Sequence, residues 1–420
     1  MPSLDLTQHP CFNDASRHKF GRIHLPVAPA CNIQCNFCNR KYDCANESRP
    51  GVTSLVLNPA QALTYLVRAV EKAPNIAVAG IAGPGDPFAN APATMETLRL
   101  VRERFPQLLL CVATNGLELA PFAAELAKLK VSHVSVTVNA IDPAVGARIY
   151  PWIRYNRRVW HGEEGAKLLL EKQIEGIKAL KAAGVVVKAN CVVVKGVNDR
   201  HVEAVGKFLA NLGVDILNPL PLYPAEGANF GQAEVPDARD LVRVKAGLTG
   251  VLPVMNHCAR CRADAAGLLG QDDPKFAELM RQSAETPALA LRARPRVAVA
   301  SMEGLLVNEG LGQARRFLVY EMREGRPSLL EARPAPPMGG GDQRWAEIAS
   351  LLSDCGMLLA GEAGPNPSRV LAEHGLQVHS VEGLINQLLP LAFSGADLTP
   401  YIKRNFSCST GCGGGQQGCA

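Results

Sequence analysis

Aromatic side chains are scarce in this 420-residue chain, at 5%. No apolar run approaches the roughly 20 residues that span a bilayer. The amino terminus, Met1-Pro2-Ser3-Leu4-Asp5-Leu6, has neither the basic nor the apolar stretch of a secretion signal. These absences argue against a membrane protein and lead to the expectation of a cytoplasmic one. An excess of one charge is missing too. The 44 basic and 39 acidic residues leave a net charge of +5, spread along the chain, too mild and mixed for a nucleic-acid footprint. No nucleic-acid or membrane partner is expected. Cysteine, by contrast, is plentiful. Thirteen in a long chain without a signal suggest metal-ligating thiolates in a reducing compartment, and the odd count argues against complete disulfide pairing.

Length and a hydrophobic content of 47% allow two or three domains. From Gly21 to Ala28 the chain alternates, with Ile23, Leu25 and Val27 on one face and Arg22, His24 and Pro26 on the other, which predicts a strand. Further strands are predicted at Ile76 to Ile81, Leu108 to Ala113, His133 to Val138, Val185 to Val194 and Asp215 to Leu217. Helical runs lie between them, the first opened by Asn58-Pro59. The segment Ile141 to Gly162 carries no assignment. Six β-α alternations imply a parallel sheet with right-handed crossovers, and six units suit an α/β fold of the partial (β/α)6, TIM-like kind, with chemistry at the C-terminal strand ends. This domain is expected to span 1–282, followed by a linker at 283–295, a second α/β domain at 296–392 and a flexible tail at 393–420 that includes Cys408, Cys412 and Cys419. Arg333 to Gly341 reads as a loop.

Cys31-Asn32-Ile33-Gln34-Cys35-Asn36-Phe37-Cys38 can bring three thiolates to one 4Fe-4S cube and leave the fourth iron open. A zinc knuckle completed from elsewhere is the alternative. The CxxxCxxC spacing resembles the signature of radical S-adenosylmethionine (SAM) enzymes. The wider run, from Ala28-Pro29-Ala30-Cys31 through Arg40-Lys41-Tyr42-Asp43-Cys44 to Arg49-Pro50-Gly51, resembles the NifB family of nitrogenase-cofactor assembly proteins. His9-Pro10-Cys11, Gly83-Pro84-Gly85-Asp86-Pro87 and Cys258-Ala259-Arg260-Cys261 extend that resemblance over most of residues 9 to 270.

The resemblance implies a partial radical-SAM barrel in which Cys31, Cys35 and Cys38 hold the SAM-cleaving cluster. Gly83, Gly85 and Asp86 stand where the family binds the SAM methionine group, glycine allowing close approach. Thr114, Asn115, Ser135, Thr137 and Asn139 are candidates for SAM ribose and carboxylate contacts, although short polar residues also form ordinary turns. Setting aside the triad, the tail and the strand or core residues Cys191 and Cys355 leaves Cys11, Cys44, Cys111, Cys258 and Cys261. Two further clusters with three side-chain ligands each need a sixth, and His24 is the candidate. The alternatives are a hydrogen-bonded interior histidine and, for Cys111, a buried apolar thiol. By resemblance, Cys11, Cys258 and Cys261 hold one precursor cluster, and His24, Cys44 and Cys111 the other.

The family's activity would be fusion of two 4Fe-4S clusters, with SAM-derived carbide insertion, into the eight-iron precursor of the nitrogenase cofactor. Its partners would be a cluster donor, a reductant and a cofactor carrier or scaffold. The rivals are another radical-SAM enzyme acting on peptide or RNA, and a non-enzymatic iron-sulfur carrier. Val307 to Ala314 and Phe317 to Glu321 resemble the NifX/NafY carriers, implying a ribonuclease-H-like fold. Gly310 stands where many relatives have histidine, so cluster binding there would rest on backbone contacts or on His374 or His379, or be absent. Tyr150 to Trp160 interleaves aromatics with Arg154, Arg157 and Arg158. It reads as a lid or partner-docking loop, or as a solvated loop; RNA stacking is the other use of such a pattern.

Overall fold

The computed structural model describes residues 4–45, 55–271, 273–284, 291, 293–396, 398 and 401–402. Residues 46–51 of the cysteine-rich run, most of the expected linker (285–290 and 292) and Cys408, Cys412 and Cys419 lie outside them. The chain divides into two compact units, Met1–Thr286 and Pro287–Ala420.

The first unit is built on six parallel strands whose spatial order follows the chain: β1 (Gly21–His24), β2 (Ile76–Ile81), β3 (Leu109–Thr114), β4 (Val131–Thr137), β5 (Val186–Val193) and β6 (Ile216–Pro221). A two-residue strand, β7 (Ala266–Gly267), pairs antiparallel with β1 and caps that edge. The intervening helices include α1 (Pro59–Lys72), α2 (Ala91–Arg104) and α3 (Ala123–Lys128). Helix α1 starts where a capping box forces it to: the Asn58 side chain accepts from Gln61 N at 2.9 Å while Gln61 Oε1 accepts from Asn58 N at 3.0 Å, with proline at the first turn. Ile23, Leu25 and Val27 join Ile81, Val112, Val134 and Val187 in a buried layer against Leu66, Leu98 and Ile177 of the helices. The polar side chains of β1 therefore face the lumen.

The unassigned segment 141–162 holds helix α4 (Pro143–Ile149) and a hairpin of Trp152–Tyr155 with Arg158–Trp160. Its turn places Asn156 and Arg157 at φ 49° and 63°. Tight hairpins require such values and usually place glycine there, so Asn-Arg gave no turn signal. Helix α5 (Gly162–Ala182) and helix α6 (Val202–Asn211) follow. Helices α7 (Ala238–Gly247) and α8 (Pro274–Ala284) had no counterpart in the sequence reading. The hairpin pairs with the cysteine loop through Ile33↔Ile153 and Gln34↔Trp152.

The second unit holds a five-stranded mixed sheet: β8 (Arg296–Ala300), β9 (Arg316–Arg323), β10 (Arg326–Pro334), β11 (Cys355–Ala360) and β12 (Gln377–Ser380), in the order β10-β9-β8-β11-β12. Helices α9 (Asp342–Leu351), α10 (Pro365–Glu373) and α11 (Ile385–Ser394) complete a ribonuclease-H-like unit. Alternation along β8 sends Val297 and Val299 into one core and Ala298 and Ala300 into another. Strand β10 corrects the expected loop start at Arg333: pairing with β9 carries it to Pro334. It is an edge strand with mainly exposed or half-buried residues, so it lacks the apolar pattern that marks a buried strand.

Asp354 accepts both arms of Arg333, at 2.6 and 2.7 Å, and a further bond from Arg296. This holds its carboxyl below the usual carboxylate range. A depressed carboxyl stabilises the fold above the unfolded-state value and loses that contribution as pH falls through the folded one. Asp354→Asn is expected to lower the unfolding midpoint of the second unit at neutral pH, with the difference from the parent chain fading as pH drops below about 4. Melting curves across that range check it; a difference independent of pH would remove the ion-pair explanation.

Candidate functional site

At the C-terminal ends of the strands, a cleft of about 370 Å³ is lined by Cys31, Cys35, Cys38, Arg40, Cys44, Gly85, Asp86, Thr114, Asn115 and Thr137, among others. The cysteine loop reaches this place by backbone docking. Gly85 N donates to Ala28 O at 2.6 Å and Asp86 N to Ala30 O at 2.8 Å. A Cβ on Gly85 would lie 2.0 Å from Ala30 O, so no other residue fits without moving the loop. Asp86 is buried and its carboxylate is fully engaged, accepting from Phe88 N at 2.9 Å, Thr114 Oγ1 at 2.9 Å and Asn115 N at 2.6 Å. Burial raises its pKa against those bonds. Asp86 and Thr114 thus lock the turn after β2 to the end of β3. The Asn115 side chain donates to Asn32 Oδ1 at 2.7 Å and approaches Cys31 Sγ at 3.8 Å.

Burial pushes the Cys31 thiol up to about 11, and the nearby Asp86 charge adds to this. Cys38 is raised by burial too, with Arg40 opposing the shift. Buried thiols of this kind must lose their protons when metal binds, so loading strengthens as pH rises. Three thiols on one cleft, with a guanidinium to offset their charge, are a donor set that fits an iron-sulfur cluster. They do not close on a single point: among the described residues, no group of three His, Cys, Asp or Glu side chains is disposed to hold a single metal ion.

A second cleft, of about 550 Å³, adjoins the first; Ala113 lines both. Its walls include Cys11, His24, Cys111, Ser135, Lys188, Cys258 and Cys261. His24 Nδ1 lies 2.8 Å from Arg262 O, and a carbonyl only accepts, so Nδ1 carries the proton and Nε2 is the basic nitrogen. His24, Gly80 and Cys111 stand in line across β1, β2 and β3. The missing side chain at Gly80 opens the space between the other two, since a Cβ there would lie 2.7 Å from Cys111 Sγ. Arg22 is buried, and donates to Cys261 Sγ at 3.2 and 3.0 Å. The Cys11 thiol is pushed up to about 12 by burial. Its segment is tied down where His257 Nε2 donates to Pro10 O at 3.0 Å and Cys11 N to His9 Nδ1 at 3.2 Å.

Residues 25–209 match the radical SAM superfamily. Residues 293–394 match the dinitrogenase iron-molybdenum cofactor family. The FeMo cofactor biosynthesis protein NifB of Chlorobaculum tepidum is 50% identical over 423 residues, covering 99% of this chain and 100% of that protein. Its namesakes from Sinorhizobium fredii and Klebsiella pneumoniae are each 38% identical, covering 90% and 88% of this chain and 85% and 86% of theirs. The chain belongs to the NifB family. It is a radical SAM enzyme.

Set against the NifB expectation, the structure groups most but not all of the predicted residues. Five of the six proposed precursor ligands, Cys11, His24, Cys111, Cys258 and Cys261, meet at the second cleft. Cys44 lines the first. Its neighbours nonetheless reach the distal segment, with Ala263 N donating to Asp43 at 3.3 Å and Arg260 Nη2 to Ala45 O at 3.3 Å. Ser135 lies with the second cleft, and Thr137 with the first. Asn139 and Gly83 line neither. Asn139 is fully buried and accepts from Val192 N at 2.8 Å, a bond that joins the segment after β4 to β5. His379 belongs to β12 of the second unit, with Nε2 buried and unpartnered. His374 ends α10, its Nδ1 donating to Val370 O at 2.9 Å.

Sequence reasoning passed over Arg22, Arg40, Gly80 and Lys188. Arg22 carried a signal, since it shares the lumenal face of β1 with His24. Gly80 carried none, because its role depends on register across three strands. In a chain whose Cys31, Cys35 and Cys38 are alanine, Gly80→Ala is expected to lower reconstituted iron by about half, by forcing Cys111 aside. Iron counting checks this; full retention would mean that Cys111 is not a ligand.

Proposed function

We propose that this chain builds the eight-iron, carbon-centred precursor of the nitrogenase cofactor from two 4Fe-4S clusters, which are its substrates. What carries the reading is the adjacency of two thiol-lined clefts with unlike ligand sets, one all-cysteine triad and one mixed group including His24. Cys31, Cys35 and Cys38 would hold the resident 4Fe-4S cofactor, and Gly85 with the end of β3 would receive SAM. That cofactor, with SAM bound, supplies methyl transfer to a substrate sulfide and a 5′-deoxyadenosyl radical for hydrogen abstraction towards the central carbide.

The chain's own residues orient and protect. Asp86 fixes the turn under the cysteine loop, Arg40 offsets thiolate charge, and Arg22 holds the Cys261 sulfur in place. Cys11, Cys258 and Cys261 would bind one substrate cluster, and His24, Cys44 and Cys111 the other. Cys44 would then reach from the first cleft into the second. Residues 1–282 contain this whole set, so residues 296–392 would hold or hand over the product. The name of the relatives and the cofactor-family match of residues 293–394 support that division. Partners would be a cluster donor, a reductant and a carrier protein, in the cytoplasm.

Replacing Cys31, Cys35 and Cys38 by alanine is expected to abolish 5′-deoxyadenosine formation while iron remains at the second cleft. Continued SAM cleavage by that variant would sink the assignment. The imidazole offers a second, independent readout. Pulsed paramagnetic resonance of the reconstituted, SAM-free protein is expected to show nitrogen coupling to a cluster, lost in His24→Ala; unchanged coupling would point to another nitrogen.

A further inference from the structure

The stretch from Arg148 to His161 contains four arginines and no carboxylate. Its hairpin is welded to the cysteine loop rather than standing apart from it. Besides the pairing with Ile33 and Gln34, Arg154 N donates to Asn32 O at 2.8 Å, Asn36 N to Ile149 O at 2.8 Å, and Asn36 Nδ2 to Arg148 O at 2.7 Å. The basic surface is thus continuous with the backbone between Cys31 and Cys35. On it, Arg154, Arg157 and Arg158 are exposed, and no ion pair engages them among the described residues.

The aromatics hold these cations in place. The Arg158 guanidinium lies 4.0 Å from the Trp160 ring centroid and that of Arg154 lies 5.7 Å from Trp152, while Lys172 sits 5.5 Å from Tyr155. Each ring already has a face engaged by a cation of the chain itself, an arrangement less suited to stacking nucleobases than to presenting fixed positive charge. Val159, 42% exposed, adds an apolar spot among the arginines. A firm positive patch with a small apolar centre fits an acidic protein.

We propose that the Trp152–Trp160 hairpin is the docking surface for a small acidic one-electron carrier protein of the ferredoxin or flavodoxin class. The proposal rests on the radical-SAM reading above. Homolysis of SAM needs one electron: the carrier is oxidised by one electron, the sulfonium carbon–sulfur bond breaks, methionine leaves with the added electron, and the 5′-deoxyadenosyl radical remains. Docking on the hairpin delivers that electron beside the loop that holds the three cysteines, without occupying either cleft.

The test is Arg154→Glu combined with Arg158→Glu in the full chain, assayed for 5′-deoxyadenosine with dithionite and, separately, with a reduced acidic ferredoxin. Dithionite is small and needs no docking surface, so its rate is expected to match that of the parent chain and reports that the variant is folded. The ferredoxin-driven rate is expected to fall about tenfold at low salt, and the parent's ferredoxin-driven rate to fall as salt rises. An unchanged ferredoxin-driven rate in the variant overturns the proposal. Fluorescence anisotropy with oxidised, labelled ferredoxin gives a readout that does not depend on catalysis: binding weakened by the charge reversal supports the surface, and equal binding overturns it. If the parent chain makes no 5′-deoxyadenosine with dithionite, the functional reading fails, while the anisotropy titration still decides the docking. Charge-dependent binding of a labelled oligouridylate, with none of ferredoxin, also overturns it.

Discussion

The close approach of Gly85 to the backbone of Ala28–Ala30 is the constraint on which the site depends. One turn after β2 donates two backbone hydrogen bonds to the start of the cysteine loop, at 2.6 and 2.8 Å. The same turn carries Asp86, whose carboxylate reaches the end of β3. Three chain segments distant in sequence are thereby held in one arrangement before any cofactor arrives. The cost of burying the Asp86 charge is met by one hydroxyl and two close backbone donors, the kind of full satisfaction that a buried carboxylate requires. Flexibility in the loop would leave the thiols free to pair or scatter; the ten described cysteines form no disulfide.

Much of this was legible in the sequence, for identifiable reasons. The six parallel strands were found because parallel strands are buried on both faces and read as apolar runs, as Ile76 to Ile81 does throughout. The lumenal position of His24 followed from period-two alternation with Ile23 and Leu25, both in the helix-facing core. The cysteines announced themselves by spacing. The hairpin at Trp152–Trp160 did not, because its turn lacks glycine and its strands are short. Strand β10 was lost as a solvent-facing edge. Gly80 could be understood only once β1, β2 and β3 were in register. The N-terminal motif is a middle case: His9-Pro10-Cys11 was readable as a ligand segment, but not the packing of the His9 ring at 4.4 Å from His133 and 4.7 Å from Phe12 that seats it.

The two units are built on different plans. The first gathers the thiols and the imidazole at the ends of parallel strands, where loops vary without disturbing the sheet. The second is organised by a mixed sheet with a core on each face. Its resemblance in fold to carrier proteins does not by itself assign a role. Its ionic cluster around Asp354 lies between Arg296 of β8 and Arg333 of β10, pinning the edge strand across its neighbour.

Arg22 has one more consequence. The same guanidinium that donates to Cys261 also donates through Nη1 to Gly267 O at 2.7 Å and Leu268 O at 3.1 Å, in and just after the strand that closes the edge of the sheet. The position of one sulfur is therefore tied to the seam of the barrel. Removing that sulfur would leave two buried N–H groups without their acceptor beside the closing strand. The wall of the second cleft and the closing strand of the sheet thus share one guanidinium, so what steadies the one steadies the other.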